Sequence, residues 1–225
     1  MRYNYKYGMA VDPRMLEHDF ESEGLDAIPQ ILDMFKSIKT IEGFIEKEPY
    51  IRYLTNKIWY AINLGKGINL REREKILPVF KEYSRILKQY EKVPNEIYRG
   101  VKLPNSYKTL LTDSKEEDLK EILENLAYGL RSWTKDKDTA STWAWDFTRP
   151  DTDSVSFKYL NPDYVFDCDS YFSVMDNRLD YVPVPELPFD MEEVICYVKN
   201  PKIISIDKKE RKKSSKAHFW EVVII

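Results

Sequence analysis

Apolar residues recur with two different periods along this chain, and the change of period divides it into a helical part and a strand-rich part. In the first third, apolar residues return every three or four positions, which is typical of helices with one buried face. The pattern predicts helices over 28–44 and 49–64, the second ended by Gly65-Lys66-Gly67, and a third beginning near Pro78. Residues 1–27 show no such pattern and are expected to form an irregular arm.

After Val93-Pro94 the period falls to two, which indicates strands. The predicted strands cover 96–101, 130–134, 154–160, 193–199, 202–207 and 219–225. Two helices are predicted between them, one opened by a capping box of Ser114 and Glu117 and one running from about Asp136 to Arg149-Pro150. Because strands and helices do not alternate regularly, the order predicts an α+β fold, with a helical lead-in followed by a mostly antiparallel sheet with embedded helices.

The linking segments and the domain organisation follow from the same pattern. The proline-containing segment 161–187 is expected to be loop-rich, and the charged run Asp207–Lys216 is expected to be a solvated hairpin loop. We expect residues 1–92 to form a helical portion that packs on a β-rich core of residues 93–225, the two together making one continuous domain.

Composition excludes several classes of function. The 35 basic and 38 acidic residues give a net charge of −3, so no overall basic field favours general binding to nucleic acid. The two cysteines, Cys168 and Cys196, cannot build a disulfide framework or a four-cysteine metal site, which favours a reducing, cytoplasmic compartment. No segment has the roughly 18 apolar residues of a membrane span, and the N-terminus lacks the apolar core of a signal peptide.

Several familiar catalytic motifs do not occur in the sequence. Neither a G-x-G-x-x-G fingerprint nor a P-loop is present, and Gly65-Lys66-Gly67 has neither spacing. His18 and His218 are the only histidines, so a histidine-rich metal site is not expected. Neither histidine lies near a G-x-S-x-G turn that a Ser-His-Asp triad would use.

Three separated pieces remain as candidates for chemistry. They are Tyr98-Arg99-Gly100 at the end of a predicted strand, Ser132-Trp133-Thr134 on a strand that leads into a helix, and Glu193 at the start of its strand. Each alone has an ordinary explanation as a salt-bridged arginine, a strand or N-cap hydroxyl, a core tryptophan or a surface glutamate. In this order, however, the set resembles the Arg-Ser-Glu class of mono-ADP-ribosyltransferases.

The resemblance extends from Tyr53 to Asp207. Residues 53–63 are similar to the family's tyrosine-rich helix, 97–101 to its arginine strand, 130–140 to its serine strand and following helix, and 192–206 to its glutamate strand and the next strand. It implies an ADP-ribosyltransferase-like split β-sheet core. The short length and helical lead-in resemble the small enzymes of T-even-type bacteriophages, which act in the cytoplasm of an infected host cell, with bacterial toxins as the neighbouring possibility.

The resemblance also implies a set of roles in the cleavage of NAD without a metal. Glu193 would stabilise the positive charge that develops on the ribose as nicotinamide leaves, and Ser132 would orient Glu193 and the ribose. Arg99 would engage the diphosphate or brace the pocket, and Gly100 would let the backbone approach the nicotinamide closely. The remaining NAD-binding candidates are Thr134 and one stacking aromatic among Trp133, Phe157 and Phe166.

The acceptor is expected to be a macromolecule, most simply a host protein. Arginine-modifying members of the family carry Glu-x-Glu, whereas Met191 stands two residues before Glu193 here. Either the register slips by one, making Asp190-Met191-Glu192 the motif, or the acceptor is not a plain arginine. The loop Pro183–Glu192 is expected to recognise the acceptor through Phe189, Asp190 and Glu192.

Two other functions remain open at this point. One is a non-catalytic protein-binding module with the same fold, and the other is an NAD glycohydrolase that transfers ADP-ribose to water. Glu221, in Trp220-Glu221-Val222-Val223-Ile224, mimics the glutamate strand. We prefer Glu193 because no further strand can follow Glu221 before the sequence ends.

Overall fold

The computed structural model describes residues 28–44, 47, 74–88, 93–103, 115–144, 153–170, 192–210 and 218–225. The helices are α1 (Ile28–Ser37), α2 (Leu77–Leu87), α3 (Glu116–Ala127) and α4 (Lys137–Ala144), with a 3-10 turn at Glu74–Ile76 before α2. The strands are β1 (Glu96–Lys102), β2 (Gly129–Thr134), β3 (Ser154–Leu160), β4 (Val165–Asp167), β5 (Glu193–Val198), β6 (Ile203–Glu210) and β7 (His218–Ile224). The chain divides into two compact units, Met1–Lys92 with Phe166–Asp190 and Val93–Val165 with Met191–Ile225, and one division falls within β4.

The predicted α+β fold class is confirmed. The strands form one seven-stranded sheet in the order β4-β5-β2-β1-β3-β7-β6. Pairing is antiparallel between β1 and β2, β1 and β3, β2 and β5, and β6 and β7, and parallel between β3 and β7. Strands distant in sequence are therefore neighbours in space, which brings β2 next to β5.

The first unit has an aromatic core between α1 and α2. Tyr83 packs edge-on against Phe35 and Phe44, with ring centroids 4.8 Å and 5.5 Å away. Arg85 of α2 donates hydrogen bonds to the carbonyls of Phe35 and Ile38 at 3.1 Å and 3.2 Å. The arginine thereby ties α2 to the main chain at the C-terminal end of α1, where the Phe35 carbonyl also accepts the Ile38 amide at 3.0 Å.

The second unit has its core on one face of the sheet. The buried residues of this face come from alternate positions of successive strands and from α3; they include Ile97, Leu123, Ala127, Trp133, Val155, Phe157, Val194, Cys196, Trp220, Val222 and Ile224. Alternation along each strand places the intervening residues on the opposite face. Ser132, Thr134 and Glu193 are on that opposite face, because Trp133 and Val194 between them face the core.

Some predicted element boundaries were wrong. The helix predicted over 28–44 ends at Ser37, because the hydroxyl of Thr40 accepts the Gly43 amide at 3.1 Å and starts a new helical turn. The N-cap of α3 is Lys115, one residue later than predicted, and it makes no side-chain cap hydrogen bond; Ser114 of the predicted capping box lies outside the described residues. The segment predicted as loop contains β4, which spans only 3 residues and is too short to show a period.

Other predicted features lie partly or wholly outside the described residues. β6 continues to Glu210, so the first part of the predicted hairpin loop is strand, and residues 211–217 are not described. The predicted helix over 49–64, the arm 1–27 and residues 171–191 also lie outside the described ranges. Among the helices of the described ranges, none combines the length and apolar content needed to cross a membrane.

Candidate active site

The pairing of β2 with β5 brings the serine and glutamate pieces of the sequence together. Thr134 is directly opposite Glu193, and Ser132 is opposite Ile195. The Lys135 amide donates to the Glu192 carbonyl at 3.0 Å, so Thr134 and Glu193 form a non-hydrogen-bonded pair, in which side chains lie closest. Ser132 is two residues from Thr134 and therefore shares its face of the sheet.

Ser132 and Glu193 are in direct contact. The Ser132 hydroxyl donates a hydrogen bond to Oε1 of Glu193. The Glu193 residue is only 8% exposed, so its carboxylate is largely removed from water and needs such a partner. This hydrogen bond fixes one oxygen of a buried carboxylate at the edge where β5 begins.

Arg99 joins the same group through the main chain. Its Nη1 donates a hydrogen bond to the carbonyl of Ser132, across the boundary between β1 and β2. Arg99 therefore holds the strand that carries the serine. The three predicted catalytic residues, Arg99, Ser132 and Glu193, form one connected series within the second unit.

The aromatic candidates for stacking are not brought to this group. Trp133 and Phe157 are each 0% exposed and pack edge-on with ring centroids 6.5 Å apart. Phe166 is 1% exposed and packs against Phe80 in the first unit, with centroids 5.0 Å apart. Trp133 and Phe157 fill the core because they lie on its face of the sheet, whereas Ser132 and Glu193 lie on the opposite face.

Thr134 takes part in a turn that starts α4. Its hydroxyl accepts the Asp136 amide at 3.0 Å. Asp136 in turn accepts the Thr139 amide at 2.9 Å and hydroxyl at 2.7 Å, and the Asp138 amide at 3.1 Å. Hydrogen bonds from Thr139 and then from the Asp138 amide lower the pKa of Asp136. The sequence analysis predicted that this helix begins near Asp136 but did not predict the capping role of Asp136. The signal was present, because Asp is a preferred N-cap residue at a helix start.

Gly100 lies against the backbone of α4. A Cβ at this position would be 2.0 Å from the Ala140 carbonyl oxygen and 2.4 Å from the Ala144 nitrogen. The helix therefore approaches β1 so closely that only glycine fits. The close packing of α4 on β1 therefore explains why position 100 is a glycine.

Of the predicted acceptor-loop residues, only Glu192 is described. It is exposed and has a φ of 44°, the left-handed region that residues other than glycine seldom occupy. Phe189 and Asp190 lie outside the described residues. The two adjacent glutamates thus differ sharply: Glu193 is buried against Ser132, and Glu192 is open to solvent.

A charged cluster that the sequence analysis missed borders this group. Lys158 and the Tyr98 hydroxyl both donate to the Glu96 carboxylate, and the Lys158 ammonium is 5.8 Å from the Tyr98 ring centroid. Hydrogen bonds from Lys158 and then Tyr98 lower the pKa of Glu96, and burial followed by the Glu96 contact raises the pKa of Tyr98. Tyr98 is opposite Thr134 in the sheet, so only the register reveals that the cluster is next to the site.

Comparison with known proteins gives matches among solved structures alone. No protein-family model matches the sequence, and no curated protein matches it. ADP-ribosyltransferase Vis in complex with agmatine has 12% identity and a TM-score of 0.33, covering 99% of this chain and 77% of its own. Another Vis structure, described as a toxin from Vibrio splendidus, has 12% identity and a TM-score of 0.31, covering 95% and 72%.

ADP-ribosyltransferase HopU1 of Pseudomonas syringae pv. tomato DC3000 is also similar in structure. It has 12% identity and a TM-score of 0.39, covering 98% of this chain and 90% of its own. Similarity at this level carries no information on activity. The functional interpretation therefore depends on the side chains of this chain and their contacts.

Proposed function

We propose that this chain is a mono-ADP-ribosyltransferase that cleaves NAD and transfers ADP-ribose to a macromolecular acceptor. The observation that carries the proposal is the hydrogen bond from the Ser132 hydroxyl to the buried carboxylate of Glu193. Arg99, bound to the carbonyl of the same serine, supports it. Residues distant in sequence thereby place a hydroxyl beside a fixed negative charge, on a strand whose main chain is held by a cation.

The proposed reaction breaks the bond between nicotinamide and the ribose. Nicotinamide leaves with the bonding electron pair as a neutral ring, and the ribose carbon takes on positive charge. A carboxylate held in place beside that carbon stabilises the charge without having to reorganise, and its effect is stronger away from bulk water. Glu193 has the burial and the fixed orientation that this role requires.

Glu193 is supported over Glu192 as the carboxylate that acts on the ribose. Glu193 is buried and bonded to Ser132, whereas Glu192 is exposed. In the second half of the reaction, an acceptor nucleophile bonds to the ribose carbon and releases a proton. Glu192 is an exposed carboxylate one residue away, suited to accept that proton or to pair with a cationic acceptor group.

Of the two roles considered for Arg99, the contact with Ser132 favours bracing of the pocket. Nη1 is engaged with a main-chain carbonyl of β2. A planar guanidinium holds such a carbonyl in a defined direction, which a flexible lysine does less well. The position of Ser132, and through it that of Glu193, then depends on Arg99.

The proposal is tested with NAD labelled in the adenylate moiety and a bacterial cell extract. Transfer predicts label on protein together with stoichiometric release of nicotinamide. Agmatine serves as a small guanidinium probe for the acceptor class. Nicotinamide release without labelled acceptor would indicate an NAD glycohydrolase, and no release with any acceptor would indicate a non-catalytic binding module.

A further inference from the structure

β1 and β2 are weakly joined to each other compared with their other neighbours. Within the described residues, they are matched at one pair, Tyr98 with Thr134. In contrast, β1 is matched to β3 from Glu96 to Lys102, and β2 to β5 from Gly129 to Thr134. Nevertheless, the contact between Arg99 and the Ser132 carbonyl crosses this weak boundary.

Helix α4 connects the two strands at this boundary. At its N-terminus, Asp136 caps the helix and donates its own amide to Thr134 at the end of β2. Further along the helix, the backbone at Ala140 and Ala144 lies directly on Gly100 of β1. We call α4 with these two attachments, the Asp136 cap and the Gly100 contact, the α4 brace.

We propose that Gly100 and Asp136 are positioning residues, which hold α4 across the boundary so that Arg99 reaches Ser132 and Ser132 orients Glu193. The inference rests on the proposed function and assigns Gly100 to the α4 brace, in place of contact with nicotinamide. Gly100 adjoins Arg99 in β1, and Asp136 follows Thr134 at the end of β2. Any displacement of α4 is therefore transmitted to the two strands that form the Arg99–Ser132 contact.

The size of the effect follows from the space at Gly100. Real Cβ atoms do not approach backbone atoms to 2.0 Å, so a Cβ at Gly100 moves α4 relative to β1 by on the order of 1 Å. A misplacement of about 1 Å in catalytic groups can lower turnover by about 100-fold. We expect KM for NAD to change less, because the space at Gly100 is filled by the backbone of α4.

The first test compares Gly100→Ala with Gly43→Ala. Among the described residues, a Cβ at Gly43 would meet the Thr40 hydroxyl alone, at 3.5 Å, which is an ordinary contact, so this control is expected to keep full activity. Gly100→Ala is expected to lower kcat for nicotinamide release by about 100-fold and to change KM for NAD by less than about 3-fold. An unchanged kcat with a raised KM would overturn the proposal in favour of direct NAD contact.

The second test acts on the other attachment and decides the matter if Gly100→Ala does not fold. Asp136→Ala is expected to lower kcat by about 10-fold, and Asp136→Asn, which can still cap a helix, to restore it to within about 3-fold of the natural chain. In an Arg99→Lys background, Asp136→Ala should have little further effect, since both changes loosen one contact. Equal activity of Asp136→Ala and the natural chain, or full additivity with Arg99→Lys, would overturn the proposal.

A third measurement separates the brace from the enzymatic activity. The Lys135 amide is bonded to the Glu192 carbonyl beside the site, and its hydrogen exchange reports local opening without any substrate. Asp136→Ala should speed this exchange about 10-fold, and Gly43→Ala should leave it unchanged. If the natural chain does not cleave NAD but Asp136→Ala speeds the exchange of the Lys135 amide, the proposed function fails and the α4 brace stands. If the exchange does not respond, the brace fails.

Discussion

At the scale of single residues, Glu193 and its partner Ser132 decide whether the proposed chemistry is possible. Glu193→Gln keeps the shape of the side chain and removes its charge, so nicotinamide release should fall at least about 100-fold. Ser132→Ala should cost about 10-fold, because the serine orients the carboxylate without supplying charge. Steady-state kinetics of nicotinamide release measures both.

A matched control for Glu193 lies on β7. Glu221 stands in a similar sequence context but is opposite Asp207, at the other end of the sheet. Glu221→Gln should retain full activity. Loss of activity in Glu221→Gln with Glu193→Gln unaffected would show that the wrong glutamate strand had been chosen.

Glu192 gives a residue-scale prediction about the backbone. Its φ of 44° costs a side-chain-bearing residue about 1–2 kcal/mol, and a β-branched residue tolerates it least. Glu192→Gly should therefore be more stable than Glu192→Val by about 1–2 kcal/mol, measured by urea unfolding. Equal stabilities would mean that the left-handed conformation is absent in solution.

The same position separates acceptor recognition from NAD cleavage. Glu192→Gln removes the exposed carboxylate and leaves the Ser132–Glu193 contact intact. Nicotinamide release into water should stay within about 3-fold of the natural chain, while transfer to an acceptor should fall at least about 10-fold. A parallel loss of both activities would place Glu192 in the ribose chemistry.

At the scale of elements, the cap of α4 makes stability depend on pH. Hydrogen bonds from Thr139 and Asp138 lower the pKa of Asp136 from 3.8. A carboxyl group with a lowered pKa stabilises the fold above its unfolded pKa, and this contribution disappears as pH falls through the folded value. The stability difference between the natural chain and Asp136→Asn should be constant near neutral pH and shrink below about pH 4. Urea unfolding at several pH values measures it, and a difference that grows in acid would contradict the capping role.

Most elements of the second unit could be predicted from local pattern. β3 matches its predicted range, and β1, β2 and β5 differ from theirs by a single residue at one end. Their residues alternate because one face of each strand is buried. β4 was missed because so short a strand shows no period. The N-cap of α3 was misplaced because Lys115 caps the helix without a side-chain hydrogen bond, which leaves no signal in the composition.

At the scale of the whole molecule, the aromatic residues Trp133 and Phe157 belong to the core of the sheet. Phe157→Leu should lower the free energy of unfolding by about 1–2 kcal/mol and leave KM for NAD unchanged. Phe219→Leu is the matched control, since Phe219 is only partly buried on β7, and it should cost less. A rise in KM without loss of stability would instead assign Phe157 to the cofactor.

The candidate site itself could be predicted only as a set of residue types. Arg99, Ser132 and Glu193 were identified from their order in the chain, and the sheet connects them. The placement of Trp133 and Phe157 in the core was not distinguished from a binding role, because a strand pattern tells which residues share a face but not which face is buried beneath helices.

The sequence by itself determined the period of each segment, and with it the succession of helices and strands and the α+β class, because such periods arise from burying one side of a local element. Only the tertiary structure decided that β2 lies between β1 and β5 and that Thr134 is opposite Glu193. The register between distant strands depends on packing and hydrogen bonds that form only when the whole sheet forms. For the same reason, the contact between Gly100 and α4 could not be seen in the sequence, where a glycine in a strand has many possible explanations.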